Sequence, residues 1–284
     1  MNSSNINTYS SGEQRRGNDE YDTLSVQRML PYLLLDISKK VFIYDSLEST
    51  NKAANDMIAS GAEHGTVIIA NSQTAGKGRY GRVFHSPPVN GLYMSLILHP
   101  SRFNYSTPTL ITASAVVSVC ETIEAVTSKA PQIKWVNDIL LNRKKICGIL
   151  TEATGSAQNR ESQWLIVGIG INVRTPEADF PEELREIAGS IFDADEPAVT
   201  RNQLAAEIVN RIALNENQYK EKEMLEEYKQ RMDMLGKTVL VTEAAKTYEA
   251  VAMDIDEKGR LLIKKGNNEI TILTTGEIRV QSLR

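Results

Sequence analysis

Three cations stand close together in Ala75-Gly76-Lys77-Gly78-Arg79-Tyr80-Gly81-Arg82, at positions 77, 79 and 82 of a glycine-rich segment. Glycine lets a backbone approach a ligand closely. Arginine presents a planar fork of donors that fits phosphate or carboxylate. The segment has the composition of an anion-binding loop, and equally that of a solvated basic turn. It matches G-x-G-x-x-G at Gly76, Gly78 and Gly81. A dinucleotide-binding fold would also need a helix starting here and an acidic residue ~20 positions on. Val83 to Pro88 cannot begin a helix, and the next acid is Glu121. A Walker A loop fails as well, because Gly rather than Ser or Thr follows Lys77.

Other polar residues sit where apolar elements begin or end. Lys145 stands at the mouth of an apolar strand, either snorkelling to water or aimed at a ligand. Simple alternation puts Lys145, Cys147 and Ile149 on one face and Ile146, Gly148 and Leu150 on the other. Asn137 and Asp138 follow a short strand containing Trp135, in a position that suits a turn. Ser49-Thr50-Asn51 opens a helix, so its hydroxyls and amide suit a cap, a neutral polar ligand or an anion. Gly168-Ile169-Gly170-Ile171-Asn172 is a strand whose glycines permit close backbone approach.

The charge distribution frames these residues. The net charge of −4 over 284 residues argues against a general nucleic-acid binder. From His64 to Cys120 there is no Asp or Glu in 57 residues, and the glycine-rich segment lies inside that stretch. Buried strands carry few charges, and a site for a negatively charged ligand would also exclude acids. From Glu177 to Glu227 there are fourteen acids against five basic residues. The two cysteines, Cys120 and Cys147, exclude a disulfide framework and a Cys-based zinc site. No unbroken apolar run reaches the ~18 residues of a membrane span. The N-terminus lacks the apolar region of a secretory signal. The reading is a cytoplasmic protein with no membrane partner.

The elements that would position these groups follow from period and punctuation. Residues 1–40 read as a polar tail, with a short helix over Leu24 to Leu35 interrupted by Pro31. Strands are expected at 40–44, 66–70, 91–98, 133–135 and 164–173, with a hairpin over 139–152 turning at Asn142-Arg143-Lys144. Helices are expected after Ser49, ending at Gly61, and from Thr107-Pro108 to about Val126 with Pro in the first turn. A third is expected from Thr200 to about Met232. Near Leu235 the period falls to about two, and four short strands suggest a small β-barrel over 235–284. Residues 41–234 would form the larger domain. Strand 91–98 or the hairpin could pair across a homodimer.

Taken together, five motifs in this order resemble the biotin protein ligase family. They are Ser49-Thr50-Asn51; Gln73-x-Ala75-Gly76-Lys77-Gly78-Arg79-x-Gly81-Arg82; Lys134-Trp135-Val136-Asn137-Asp138; Lys145-x-x-Gly148-Ile149-Leu150; and Gly168-x-Gly170-x-Asn172. The resemblance runs from about Val41 to the C-terminus. It implies an α+β fold of the class II aminoacyl-tRNA-synthetase and biotinyl/lipoyl-ligase kind, a mixed sheet with helices on one side, plus an SH3-like barrel. It implies a carbon–nitrogen-bond-forming ligase. Biotin and ATP, with Mg²⁺, give biotinyl-5′-AMP, and a lysine of a biotin carboxyl carrier protein then takes the biotin.

Carried over by motif position, Ser49, Thr50 and Asn51 line the biotin end. Gln73 and the backbone at Lys77-Gly78 hold the ureido and carboxylate region. Arg79 and Arg82 contact phosphates, Lys145 sits between the biotin carboxylate and the α-phosphate, and Asn172 lies near the adenylate. Asp138 assists at the reacting centre or metal, and no further metal ligand is assigned. Two positions depart from the family pattern. Lys77 stands where Arg is usual, keeping charge without the fork, and Val136 stands where Pro is usual, removing a fixed φ. Gly276-Glu277-Ile278 matches the family near the C-terminus. Residues 1–40 are too few for the DNA-binding domain that some members carry, so no specific DNA binding is expected. Two other readings compete: a lipoate or octanoate transferase of the same fold, and a non-catalytic anion-binding protein.

Overall fold

The structure is a computed structural model, and it describes residues 40–102, 107–155, 163–193, 199–218, 220–243, 246–274 and 276–280. The tail and the helix expected over 24–35 lie outside the described residues.

Val, Ile and Leu runs bounded by Gly, Asn and Pro form seven strands, which join in one sheet. They are β1 (Val41–Leu47), β2 (Thr66–Gln73), β3 (Gly91–Leu98), β4 (Gln132–Lys134), β5 (Asp138–Leu141), β6 (Lys144–Thr154) and β7 (Trp164–Asn172). The order is β1-β2-β3-β7-β6-β5-β4. Only β1 and β2 run parallel. Between them lies α1 (Thr50–Ala59), the crossover that a parallel pair requires. Asn142 and Arg143, with φ of 51° and 65°, make the two-residue turn between β5 and β6. β3 is hydrogen-bonded on both sides, so it offers no free edge for the dimer pairing considered for it.

The two faces of the sheet differ. Leu92, Met94 and Leu96 of β3, with Leu165, Val167 and Ile169 of β7, face the larger apolar cluster under α2 (Pro108–Thr127), α3 (Arg201–Gln218) and α4 (Glu221–Gln230). Ile68, Ile97 and Ile166 face the opposite way and pack with Ala54 of α1. The mixed-sheet α+β class is as expected. Helices α2, α3 and α4 share one side, and among the described residues α1 alone covers part of the other.

The helix expected over 200–232 is two helices, because the chain breaks after Gln218 and α4 restarts at Glu221. By length and composition α2 would pass as a membrane span, but 72% of that window is buried within the protein. It is the core helix beneath the sheet.

The C-terminal strands are β8 (Thr238–Glu243), β9 (Lys246–Ile255), β10 (Leu261–Lys265), β11 (Ile270–Leu273) and β12 (Glu277–Val280), in the order β11-β10-β9-β8-β12. This is one strand more than the period-two reading gave. β12 follows Gly276 and returns to pair with β8 rather than with its neighbour in sequence. The larger apolar cluster continues without a break into this sheet, through Met232, Met234, Val239, Val241 and Leu261. Trp135 Nε1 donates to Gly259 O at 3.1 Å across the same junction.

Candidate functional site

The residues singled out from sequence converge on the sheet face that carries α1. Ser49, Thr50 and Asn51 are all at most 5% exposed. Ser49 has the extended backbone of a helix N-cap, yet its side chain makes no capping bond. The first turn faces the sheet instead. Thr50 N donates to Gln73 Oε1 at 2.8 Å, and Gln73 Nε2 donates to Ser86 Oγ at 3.0 Å. Fully buried Ser95, the one serine in the apolar strand β3, lies 2.7 Å from Thr50 Oγ1 and 2.6 Å from Asn51 Oδ1. Asn51 Nδ2 donates to Glu152 Oε2 at 2.7 Å.

Beside this polar chain the sheet is bare. Gly148, Gly168 and Gly170 are cross-strand neighbours on β6 and β7. A Cβ on Gly168 would overlap Asn51 Oδ1, and one on Gly170 would lie 2.7 Å from the Phe84 ring. Only hydrogen at these positions lets the side chains above lie flat on the backbone. Phe84 also packs edge-to-face on Tyr93, with ring centroids 6.4 Å apart.

Lys145 reaches over the same strip, with Nζ 3.1 Å from where a Gly148 Cβ would stand. That corrects the face read from alternation. The β5–β6 register shifts so that Ile139 pairs with Cys147 and Leu140 with Lys145, which leaves Ile146 as an extra residue. A bulge turns the side chains before it to the other face. Lys145 therefore shares the face of Gly148, while Cys147 enters the core, where burial pushes its thiol well up. Lys145 Nζ is 2.7 Å from Asp138 Oδ1. Its second neighbour is the Phe84 ring, with Nζ 5.9 Å from the centroid.

The glycine-rich segment folds as a short hairpin. Gly78 N donates to Arg82 O at 2.7 Å and Phe84 N to Gly76 O at 2.9 Å. Its tip is left-handed at Tyr80 (φ 57°) and Gly81 (φ 74°). Arg79 Nη1 donates to Asn137 Oδ1 at 3.3 Å and Nη2 to Tyr80 Oη at 3.0 Å. Arg82 points the other way and pairs with Glu277 of the C-terminal sheet, whose hydrogen bond raises the guanidinium pKa further. Gly276 N donates to Tyr80 Oη at 2.8 Å. The loop is thus fixed to the C-terminal sheet at two points. Lys77 is exposed, at a bridge with Val83.

Asn137 is locked without a proline before it. Its Nδ2 donates to Ile149 O at 2.6 Å, and Ile149 N donates back to Asn137 O at 3.0 Å. Tyr228 Oη, wholly buried on α4, donates to Val136 O at 2.6 Å. Burial holds that phenol far above its ordinary pKa. Asn172 lies at the far end of β7, where Nδ2 donates to Gly189 O at 2.9 Å.

The structure therefore gathers Thr50, Asn51, Gln73, Arg79, Asp138 and Lys145 around one strip of sheet, with Ser49 just behind, and keeps Gly78 in the hairpin opposite Arg82. It turns Arg82 to the C-terminal sheet and leaves Lys77 at the surface. The sequence reading missed Ser95, Phe84, Ser86, Glu152 and Tyr228. A serine inside Gly-Leu-Tyr-Met-Ser-Leu-Ile-Leu was a legible signal for the first. Glu152 and Tyr228 are brought in by chain segments distant in sequence, while Phe84 and Ser86 directly follow the glycine-rich segment.

Known proteins resemble this chain in sequence and fold. Residues 43–172 match the Biotin/lipoate A/B protein ligase family, and residues 234–280 match the Biotin protein ligase C terminal domain. The two together take in more than half of the chain. A bifunctional ligase/repressor BirA of Bacillus subtilis is 44% identical over 158 residues, 56% of this chain and 48% of that protein. The chain spans about half the length of the Bacillus relatives it matches. A biotin--[acetyl-CoA-carboxylase] ligase of Mycobacterium tuberculosis is 26% identical over 237 residues, covering 81% of this chain and 85% of that one. Among solved structures, the biotin protein ligase of Aquifex aeolicus in complex with biotin and ATP superposes with a TM-score of 0.72 at 28% identity. It covers 86% of this chain and 99% of that one. The chain belongs to the biotin protein ligase family.

Proposed function

We propose that the chain is a biotin protein ligase that activates biotin with ATP to biotinyl-5′-AMP. It then passes the biotin to a lysine of a biotin carboxyl carrier protein. The observation that carries this reading is the position of Lys145. Its ammonium, held by Asp138, hangs over the bare glycine strip at the end of the buried polar chain.

The chemistry follows from charge. A carboxylate and a nucleotide triphosphate repel each other, so adenylation needs cations between them. Lys145 would lie between the biotin carboxylate and the α-phosphate, and Arg79 on the phosphate side. A carboxylate oxygen bonds to the α-phosphorus, and pyrophosphate leaves. The amine of the acceptor lysine then attacks the carbonyl carbon, and AMP leaves. Thr50, Asn51 and Gln73 would hold the ureido end, with Ser49 behind them. Lys77 and Gly78 would contribute backbone near the carboxylate. Arg82 would reach phosphates on release from Glu277, and Asn172 would flank the adenylate. Mg²⁺ would accompany the phosphates, with Asp138 the carboxylate beside them.

A division at about residue 234 would separate the catalytic part from the SH3-like one. The buried, unbridged Cys120 and Cys147 suit a reducing cytoplasm. The test is labelling of a purified carrier domain. Incorporation that needs both biotin and ATP, with stoichiometric pyrophosphate, supports the reading. Ligand binding without pyrophosphate rejects it, and octanoyl or lipoyl transfer in place of biotin would identify the alternative.

A further inference from the structure

Glu152 belongs to none of the motifs, yet it ends the buried polar chain. Asn51 Nδ2 donates to Glu152 Oε2 at 2.7 Å and to Leu150 O at 3.3 Å. A carboxylate and a carbonyl only accept, so the amide nitrogen must face them and Oδ1 must face Ser95. That oxygen also only accepts, and Ser95 Oγ, 2.6 Å away, has a single proton to give. The proton therefore goes to Asn51. Thr50 Oγ1, 2.7 Å from Ser95 Oγ, turns its own proton to Ser95. The longest of the three oxygen contacts, Thr50 Oγ1 to Gln73 Oε1 at 3.2 Å, is left without one.

This order of protons decides what Gln73 can offer. Its Oε1 takes one bond, from Thr50 N at 2.8 Å, and keeps a lone pair. Its Nε2 gives one N–H to Ser86 Oγ at 3.0 Å and keeps the other. If the Asn51 amide were reversed, every hydroxyl would turn round. Ser95 would donate to Thr50, Thr50 would donate to Gln73, and the glutamine oxygen would be saturated.

We propose that Glu152 is a positioning residue that fixes the proton direction of this chain. Gln73 then presents one acceptor and one donor side by side. That pair is the complement of one edge of a cyclic urea, which carries an N–H next to a C=O. The inference rests on the reading of biotin as substrate and deepens it. Discrimination against urea-free acids such as octanoate would depend on a carboxylate that touches no ligand.

The test is calorimetric titration of biotin into the full-length protein and its Glu152 variants, with a thermal melt of each. Glu152→Gln keeps the shape but can donate as well as accept, so only the longer bond to Leu150 O still holds the Asn51 amide one way. Biotin affinity should fall about tenfold, the loss of one well-placed hydrogen bond, with ATP affinity and melting temperature unchanged. Glu152→Lys, which only donates, should fall further, and Glu152→Asp should recover part of the loss. In adenylate formation the loss should appear in KM for biotin and not in kcat. Wild-type biotin affinity in Glu152→Lys would overturn the proposal. So would equal losses for biotin and ATP. A wild-type protein that binds no biotin would instead overturn the reading beneath it.

Discussion

The two halves of the site are built by opposite means. In the half proposed for biotin, Thr50, Asn51, Ser95 and Gln73 are held by short hydrogen bonds among buried or half-buried groups. In the half proposed for the nucleotide, Arg79, Tyr80 and Arg82 reach their partners through long side chains near the surface. Buried, satisfied networks are rigid and specific. Exposed ion pairs are weak and screened by salt. The first half is fixed by its own hydrogen bonds, and the second hangs on contacts that solvent weakens. On the proposed function, a loop held in this way would be free to close over biotinyl-AMP and exclude water from it.

Variants can break this contrast, beginning with the largest effect. Lys145→Ala should slow biotin-dependent pyrophosphate release by about 10²- to 10³-fold, the scale of losing one electrostatic donor at the reacting centre. Lys145 is half-exposed, so the melting temperature should hardly move. Gly168→Ala forces Asn51 out of place, so biotin affinity should fall together with stability, by about 1–3 kcal/mol of overpacking. A denaturant melt and a biotin titration check both, and a change in only one would separate rigidity from recognition. Arg79→Ala should leave biotin binding intact while biotinyl-AMP dissociates about tenfold faster, measured by chase, as a charge-assisted contact is lost. Tyr228→Phe removes the buried donor to Val136 O and should cost about 1 kcal/mol, read by urea denaturation. Glu277→Gln should have the smallest effect, under about 1 kcal/mol. It should show as faster proteolysis within residues 77–83, and the difference from wild type should shrink in high salt. If Glu277→Gln slowed catalysis as much as Arg79→Ala, the loop would have to be counted with the rigid half.

How much of this was legible in the sequence follows the same division. Motifs that combine a glycine with a chemical group in a short span, such as Gly76 to Arg82 or Lys145 to Gly148, could be read directly. So could the strands that bear them, because a buried strand is written in its own residues. Three things were not legible. The bulge at Ile146 depends on the β5–β6 register, which alternation along one strand cannot reveal, and it put Lys145 on the wrong face. The break between α3 and α4 was hidden because apolar spacing continues across it. The β12 strand was short and set off by Gly276, and its partner β8 lies far back in the chain. Glu152 and Tyr228 were invisible for a related reason, since each acts on a residue at least ninety positions away.

The apolar cluster that runs unbroken from beneath the seven-stranded sheet into the five-stranded one has a thermodynamic consequence. Two sheets that share one core cannot melt separately, because releasing either exposes the apolar surface of the other. Heating should give a single transition with equal calorimetric and van't Hoff enthalpies. Hydrogen exchange in β8 and β9 should be as slow as in β3 and β7. The small sheet that anchors the glycine-rich loop is then as durable as the seven-stranded sheet itself.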